Sequence, residues 1–243
     1  MRTTGNARGA GAIDLQSDET SPSEVASVTS SVFIGARNLA SGIGSIAIGY
    51  NCDSTNTYSV AISASVASGQ GSFSSGYLST ASATYSMATA RSALSNMYGQ
   101  FARGAGQVAA QGDRQTSQLC AWRNTTDATQ TEIFLCGQNG ATESCLIVPE
   151  NTIWGFTISM VARQTNDDFS TASWVIRGTI ARDTGGNVVI KNQATLDTYQ
   201  DDATWAFAVD AYTTGQRLRL RVTGAADNNI SWLGNIALEQ ITG

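Results

Sequence analysis

Residues 31–71 read SVFIGARNLASGIG (31–44), SIAIGYNCDSTNTY (45–58) and SVAISASVASGQG (59–71), one pattern laid end to end three times. Ser31, Ser45, Ser59, Ser72 and Ser86 open units spaced 14, 14, 13 and 14 residues apart, and Gln100 opens a sixth 14 further on. An apolar residue follows each opener: Val32, Ile46, Val60, Phe73, Met87 and Phe101. Two positions later stand Ile34, Ile48 and Ile62, then Ser75, Thr89 and Arg103 as the pattern decays. The next residue is small throughout: Gly35, Gly49, Ser63, Gly76, Ala90 and Gly104. Self-similarity at a fixed short period marks a repeat architecture.

A helical-hairpin repeat takes roughly 34 residues, so these units are too short for one. They fit two strands of about five residues and two tight turns, which is one coil of a β-solenoid. The alternation in SVFIG, SIAIG and SVAIS points one face inward. With coils stacked about 4.8 Å apart, residues 31–112 would make a rod on the order of 30 Å long. Each coil offers few apolar side chains to bury among its Ser, Ala, Gly and Thr. Ordering a residue costs roughly 1–2 kcal/mol, which so small a core hardly offsets. Association of identical rods about a shared axis is the simplest remedy. Val32, Ile34, Ile46, Ile48, Val60, Ile62, Phe73, Met87 and Phe101 are therefore expected in the rod's core and between its chains. Only Arg37, Asp53, Arg91 and Arg103 carry charge in this stretch, which suits extensive chain–chain contact.

Composition removes whole classes of function. A net charge of −5 provides no basic field for phosphate backbones, so no nucleic acid is expected as a partner. The chain has no histidine, which takes away the commonest general base and metal ligand and any Ser–His or Cys–His pair. Cys52, Cys120, Cys136 and Cys145 lack zinc-site spacing. They read as small buried apolar side chains, with a Cys136–Cys145 bridge as the minority alternative. No catalytic residue, metal or cofactor is expected. No apolar run follows Met1 as in a signal peptide, and no segment approaches the ~20 apolar residues of a membrane helix, so no membrane is expected either.

The three quoted units resemble the head repeats of trimeric autotransporter adhesins. That resemblance implies a parallel β-roll packed as a homotrimer; the number three comes from it and not from the spacing. The later stretch SALSNMYGQFARGAGQVAAQGDRQTS (92–117) resembles the junction between repeat and knob in tailed-bacteriophage fibre proteins, and GNARGAGAIDLQ (5–16) resembles their lead-in. The missing signal peptide and C-terminal membrane barrel favour the phage side of this resemblance.

Residues 113–243 hold all five Trp, with nine of the 14 Lys/Arg and fourteen of the 19 Asp/Glu. Short apolar-alternating runs separated by turn signals predict an antiparallel, jelly-roll-like β-sandwich, making the chain all-β. Trp154 is in phase with Phe156 and Ile158, Trp174 with Ile176, Trp205 with Phe207, and Trp232 with Ile236. These four and Trp122 are expected in the core of this knob rather than as sugar platforms. Arg217, Arg219 and Arg221 share one face of a strand. They read as a solvated or ion-paired face, with a subunit contact or an acidic glycan as the functional alternatives. The doublets Asp167-Asp168 and Asp201-Asp202 fall between strands and read as turn chemistry rather than a glycosidase pair. Asp227, Asn228 and Asn229 lack EF-hand spacing for calcium.

Residues 1–30 are polar and unrepetitive. They are expected to pin the chain to a major capsid or other virion protein by strand addition or groove insertion. Arg2, Arg8, Ile13 and Leu15 are the candidate contacts. The expected protein is thus a non-enzymatic homotrimeric fibre on a virion surface, assembled in bacterial cytoplasm, with anchor 1–30, stalk 31–112 and knob 113–243. A capsid-anchored head fibre or decoration spike, adhering to host surface glycan, leads. A tail fibre recognising a glycan receptor is the alternative, and a polysaccharide-degrading spike ranks lower.

Overall fold

Left-handed backbone residues set the path of the N-terminal half. They recur at three points in each turn of the chain: Gly35, Gly49, Ser63, Gly76 and Ala90; then Arg37, Asn51, Ala64, Leu78 and Ser92; then Ser30, Gly44, Tyr58, Gly71, Tyr85 and Gly99. The first set bends the chain at or near the end of a strand, and the other two lie in the bends and turns between strands. Glycine is demanded at Gly35, where a Cβ would stand 1.9 Å from the Gly49 carbonyl oxygen of the next coil. The structure, a computed structural model, describes residues 8–18, 24–137, 142–166 and 170–243. Arg2, Asp167 and Asp168 lie outside the described residues. The chain divides into two units, Met1–Gln115 and Thr116–Gly243, with no α-helix among the described residues of either.

The first unit contains β1 (Ile13–Asp18), β2 (Val32–Ala36), β3 (Leu39–Ala40), β4 (Ile46–Tyr50), β5 (Asp53–Ser54) and β6 (Val60–Ile62). It continues with β7 (Val66–Ala67), β8 (Phe73–Ser75), β9 (Thr80–Ala81), β10 (Met87–Arg91), β11 (Leu94–Ser95) and β12 (Phe101–Ala105). One parallel wall stacks β1-β2-β4-β6-β8-β10-β12 and the other β3-β5-β7-β9-β11, so this unit is a β-solenoid. β1 belongs to it. Ile13 and Leu15 pair with Val32 and Ile34, and an Ala26–Ala40 bridge extends the second wall. Residues 13–18, expected in a separate anchoring segment, are therefore the solenoid's first strand.

The inward side chains are small. Phe33, Ala40, Ala47, Cys52, Ala61 and Ala67 form one buried cluster, and Ala81, Ala88, Ala93 and Ala102 another. The unit-opening serines are buried with them and satisfied locally. Ser31 Oγ donates to the Val28 carbonyl at 2.7 Å, Ser59 to Asn56 at 2.7 Å, Ser72 to Gly69 at 2.8 Å and Ser86 to Ala83 at 2.8 Å. Gln100 fills the same place with an amide oxygen that accepts from the Asn96 and Met97 N–H groups at 2.9 and 3.1 Å.

The alternation is present with its phase opposite to the expected one. Val32, Ile34, Ile46, Ile48, Val60, Ile62, Phe73, Met87 and Phe101 are half-buried or exposed on the outer face of the first wall. They are not in the interior of the coil, because the residues on either side of them, such as Ser31 and Phe33 or Ser45 and Ala47, take the inward places.

The second unit contains β13 (Arg114–Thr125), β14 (Thr131–Ile133), β15 (Leu146–Ile147), β16 (Thr152–Gln164) and β17 (Thr171–Arg182). β18 (Val188–Gln200), β19 (Ala206–Tyr212), β20 (Arg217–Thr223) and β21 (Ile230–Thr242) complete it. One sheet has the order β13-β21-β16-β17-β18. In the other, β20 is central, with β19 along one side and β14 and β15 end to end along the other. β14 and β15 pair antiparallel with β20, as do β19 with β20, β21 and β17 with β16, and β18 with β17. Trp174 and Trp232 stack at 5.8 Å on one face of the first sheet, and rings beside and on β19 meet them from the other: Trp205 lies 6.1 Å from Trp232 and Phe207 6.3 Å from Trp174.

Candidate functional site

Parallel register turns the outward apolar positions of the solenoid into two continuous rows. Ile13, Val32, Ile46, Val60, Phe73, Met87 and Phe101 are neighbours in the first. Leu15, Ile34, Ile48 and Ile62 lead the second, which ends in Ser75, Thr89 and Arg103. Ile13 is 51% exposed and Leu15 62% exposed, so these candidate anchoring residues extend the same stripe. Arg8 approaches Asp14, its Nε 3.5 Å from the carboxylate, and Asp14 takes the inward place opposite Phe33 at the solenoid's first edge. A charge pointing inward there discourages further strand pairing.

The arginine row of β20 is engaged within its own unit. Arg219 Nε donates to Asp210 at 2.8 Å, Arg221 pairs with the same carboxylate, and Arg217 donates to Glu132 at 2.8 Å. The Arg217 and Arg219 guanidiniums also lie over the Tyr212 ring, at 4.9 and 4.7 Å. Donating to Asp210 raises the Arg219 pKa further. Two carboxylates thus engage all three guanidiniums, which weakens the row's hold on an external anion.

Trp154, Trp174, Trp205 and Trp232 are buried, with Trp154 donating to Gln240 at 2.8 Å and Trp232 to Thr125 at 2.9 Å. Trp122 is a correction: it is 43% exposed and not part of the core. The period of β13 sends Leu119 and Ala121 inward, which turns Cys120 and Trp122 out. Its ring covers Gly137, where any Cβ would collide with it at 2.1 Å. The cysteines are all free thiols; Cys52 and Cys145 are buried, Cys120 is exposed, and burial pushes the Cys145 thiol up.

Asp201 and Asp202 are held in turns. Asp201 accepts from Tyr199 Oη at 2.5 Å and from the Thr171 N–H at 2.8 Å, and Asp202 accepts from the Thr204 N–H at 2.8 Å. Those donors hold both carboxyls below their ordinary range. Asp227 is a left-handed turn residue whose carbonyl accepts from Asn166, and Asn228 accepts from Gln164. Among the described residues no group of three potential metal ligands comes together.

Exposed tyrosines at the solenoid corners were not singled out in the sequence. Tyr58, Tyr77 and Tyr85 project from turns, and Tyr50 from the last residue of β4. The signal was there: Tyr50 and Tyr77, like Tyr58 and Tyr85, stand 27 residues apart, two coils of the repeat.

No protein-family model and no curated protein matches the chain. Among solved structures, the chain is similar to the tailspike protein of Acinetobacter phage vB_ApiP_P1, at 7% identity and TM-score 0.26, covering 96% of this chain and 55% of that one. It is similar also to the tailspike protein of Acinetobacter baumannii phage AM24, at 7% identity and TM-score 0.28, covering 92% of this chain and 48% of that one. The chain thus spans about half the length of these tailspikes, and likeness at this level carries no functional argument.

Proposed function

We propose that this chain is a non-enzymatic, homotrimeric fibre of a bacteriophage virion, its solenoid a stalk and its C-terminal unit a jelly-roll-like β-sandwich knob. In this reading it is a capsid-anchored head fibre or decoration spike on the virion surface. One observation carries the assembly: along the outer face of a parallel wall runs one apolar row unbroken from Ile13 to Phe101, with a second beside it that is apolar from Leu15 to Ile62. A lone chain leaves that face in water while burying mostly alanine and serine. Covering an exposed Ile or Phe is worth roughly 1.5–3 kcal/mol per side chain, so a face repeated on identical chains favours closing them about an axis. The engaged arginine row and turn-bound Asp201 and Asp202 support a structural over a hydrolytic role.

Sedimentation equilibrium of the purified chain tests the assembly, with a trimer expected; a stable monomer at micromolar concentration refutes it. Attachment is tested by deleting residues 1–7, which leaves β1 in place. The shortened trimer should stay folded and fail to join particles, and undiminished incorporation would exclude an anchor there. Imaging labelled particles separates the capsid from the tail.

A further inference from the structure

We propose that the solenoid corner carrying Tyr58 and Tyr85 binds a linear, uncharged stretch of polysaccharide, its sugar rings stacking on the two exposed tyrosines. The corner is one position in successive coils, occupied by Ser30, Gly44, Tyr58, Gly71, Tyr85 and Gly99, with φ values of 56°, 63°, 56°, 61°, 55° and 62°. This left-handed geometry suits glycine and is a genuine outlier for a bulky aromatic residue. Three coils use glycine, one uses serine and two use tyrosine, so the solenoid does not need the ring in order to turn. Strain accepted against an available strain-free alternative points to a use for the side chain.

The rings have a prepared seat. A Cβ on Gly44 would stand 2.9 Å from Tyr58 Cδ1, and one on Gly71 would stand 2.7 Å from Tyr85 Cδ1. Each tyrosine therefore lies against the glycine of the preceding coil. Even so, Tyr58 is 66% exposed and Tyr85 57% exposed. Tyr98 steadies Tyr85 edge-on at 5.8 Å.

The alternation reaches beyond these two positions. Coils GYNCDSTNTYS (49–59) and GYLSTASATYS (76–86) share one pattern, and GARNLASGIGS (35–45) and SASVASGQGS (63–72) share another. The two tyrosines thus sit two coils apart, about 9.6 Å along the stack. An extended chain of pyranoses advances by nearly one coil per sugar, so alternate rings would meet successive tyrosines. Between them the intervening coil presents exposed Gln70, and Asn56 and Thr57 flank Tyr58. The corner residues carry no charge. Aromatic faces meet the C–H faces of sugars while amides and hydroxyls bond to their hydroxyl groups, which selects a neutral glycan over an acidic one.

This inference gives the proposed fibre a ligand class and rests on that reading only in the choice of bacterial polysaccharide as probe. The full chain is passed over immobilised linear oligosaccharides from bacterial capsule and O-chain polysaccharides. Retention on at least one neutral member is expected. Y58N/Y85N should lower it by at least about tenfold. Asparagine accepts the left-handed backbone, as Asn51 does at φ 57°, so melting should be unchanged. Y58F/Y85F keeps the rings and should keep binding. In the wild-type chain, the retained oligosaccharide should shield Tyr58 and Tyr85 from nitration, a reading that needs no substitution. No retention, equal retention by Y58N/Y85N, or unshielded rings each overturn the proposal. Oligomeric mass is measured on the same samples: a trimer that binds no glycan fails here alone, and a glycan-binding monomer fails only the assembly.

Discussion

In the solenoid the fully buried side chains are chiefly alanine and serine, while isoleucine, valine and phenylalanine face outward in rows. In the C-terminal unit the arrangement is reversed: Trp154, Trp205 and Trp232 are inside, and arginines paired to acids lie on the flank. A buried alanine contributes on the order of 0.8 kcal/mol per methyl-sized group, against several times that for a tryptophan. The C-terminal unit can therefore draw its stability from its own core. The solenoid draws its cohesion from register, with each coil hydrogen-bonded to the next, and leaves its largest apolar surface for something else to cover.

The largest effect should come from attacking that outer face. Replacing Ile48 and Ile62 together by aspartate places charges where the proposed partner chains meet. Each unpaired buried charge costs about 3–5 kcal/mol. Sedimentation velocity should show the assembly lost at micromolar concentration, while near-ultraviolet dichroism retains the tryptophan signal of residues 116–243. A double variant that sediments like the wild type would erase the contrast drawn between the two units.

Next comes a pair of substitutions within the C-terminal unit. Trp232→Ala removes the ring that both Trp174 and Trp205 pack against, and should cost about 3–5 kcal/mol in denaturant unfolding. Trp122→Ala, at the surface, should cost about 1 kcal/mol or less. Equal losses would mean that the outward phase of β13 is wrong.

A third pair tests the corners, with opposite signs expected. Gly35→Ala forces a Cβ into the Gly49 carbonyl and should destabilise by roughly 1–3 kcal/mol. Ala90→Gly relieves a left-handed alanine at the equivalent corner and should raise stability by up to about 1 kcal/mol. Melting temperatures that move in the same direction would show that backbone handedness does not govern the coil.

The period was legible because parallel stacking demands the same residue type at the same place in every coil, and Ser31 through Gln100 repeat openly. The phase was not, because hydropathy alone sends isoleucine inward. The opener serines, turned inward to bond the carbonyls of their own turns, set the phase the other way and leave Ile46 and Ile48 outside. β1 was hidden for a related reason: Ile13 and Leu15 lie 19 residues before Val32 and Ile34, outside the 14-residue spacing that betrays the other coils. Trp122 escaped because a large aromatic in an alternating strand reads as core until the phase of Leu119 and Ala121 is known. The tyrosine corners were visible only as a two-coil period, which a search for single-coil repeats averages away.

The smallest expected effect concerns pH. Asp113 is buried at the end of the first unit, and its carboxylate accepts from the Val108, Ala109 and Ala110 N–H groups at 2.8, 2.7 and 3.1 Å. Burial by itself raises its pKa, but the three backbone donors, with Arg114, outweigh that and hold it below the ordinary 3.8. A carboxyl whose folded pKa is depressed stabilises the fold fully above the unfolded value, and the contribution is lost as pH falls through the lower, folded one. Amide exchange at 108–110, corrected for its intrinsic pH dependence, should accelerate only in that acid window, and Asp113→Asn should show faster exchange at neutral pH. Asp201 and Asp202 are also depressed by turn donors, but they are exposed or half-exposed, so added salt should weaken their shifts while leaving that of Asp113 nearly unchanged. A carboxyl titration of Asp113 that follows salt as closely as that of Asp201 would place it at an open loop rather than at a closed end of the solenoid.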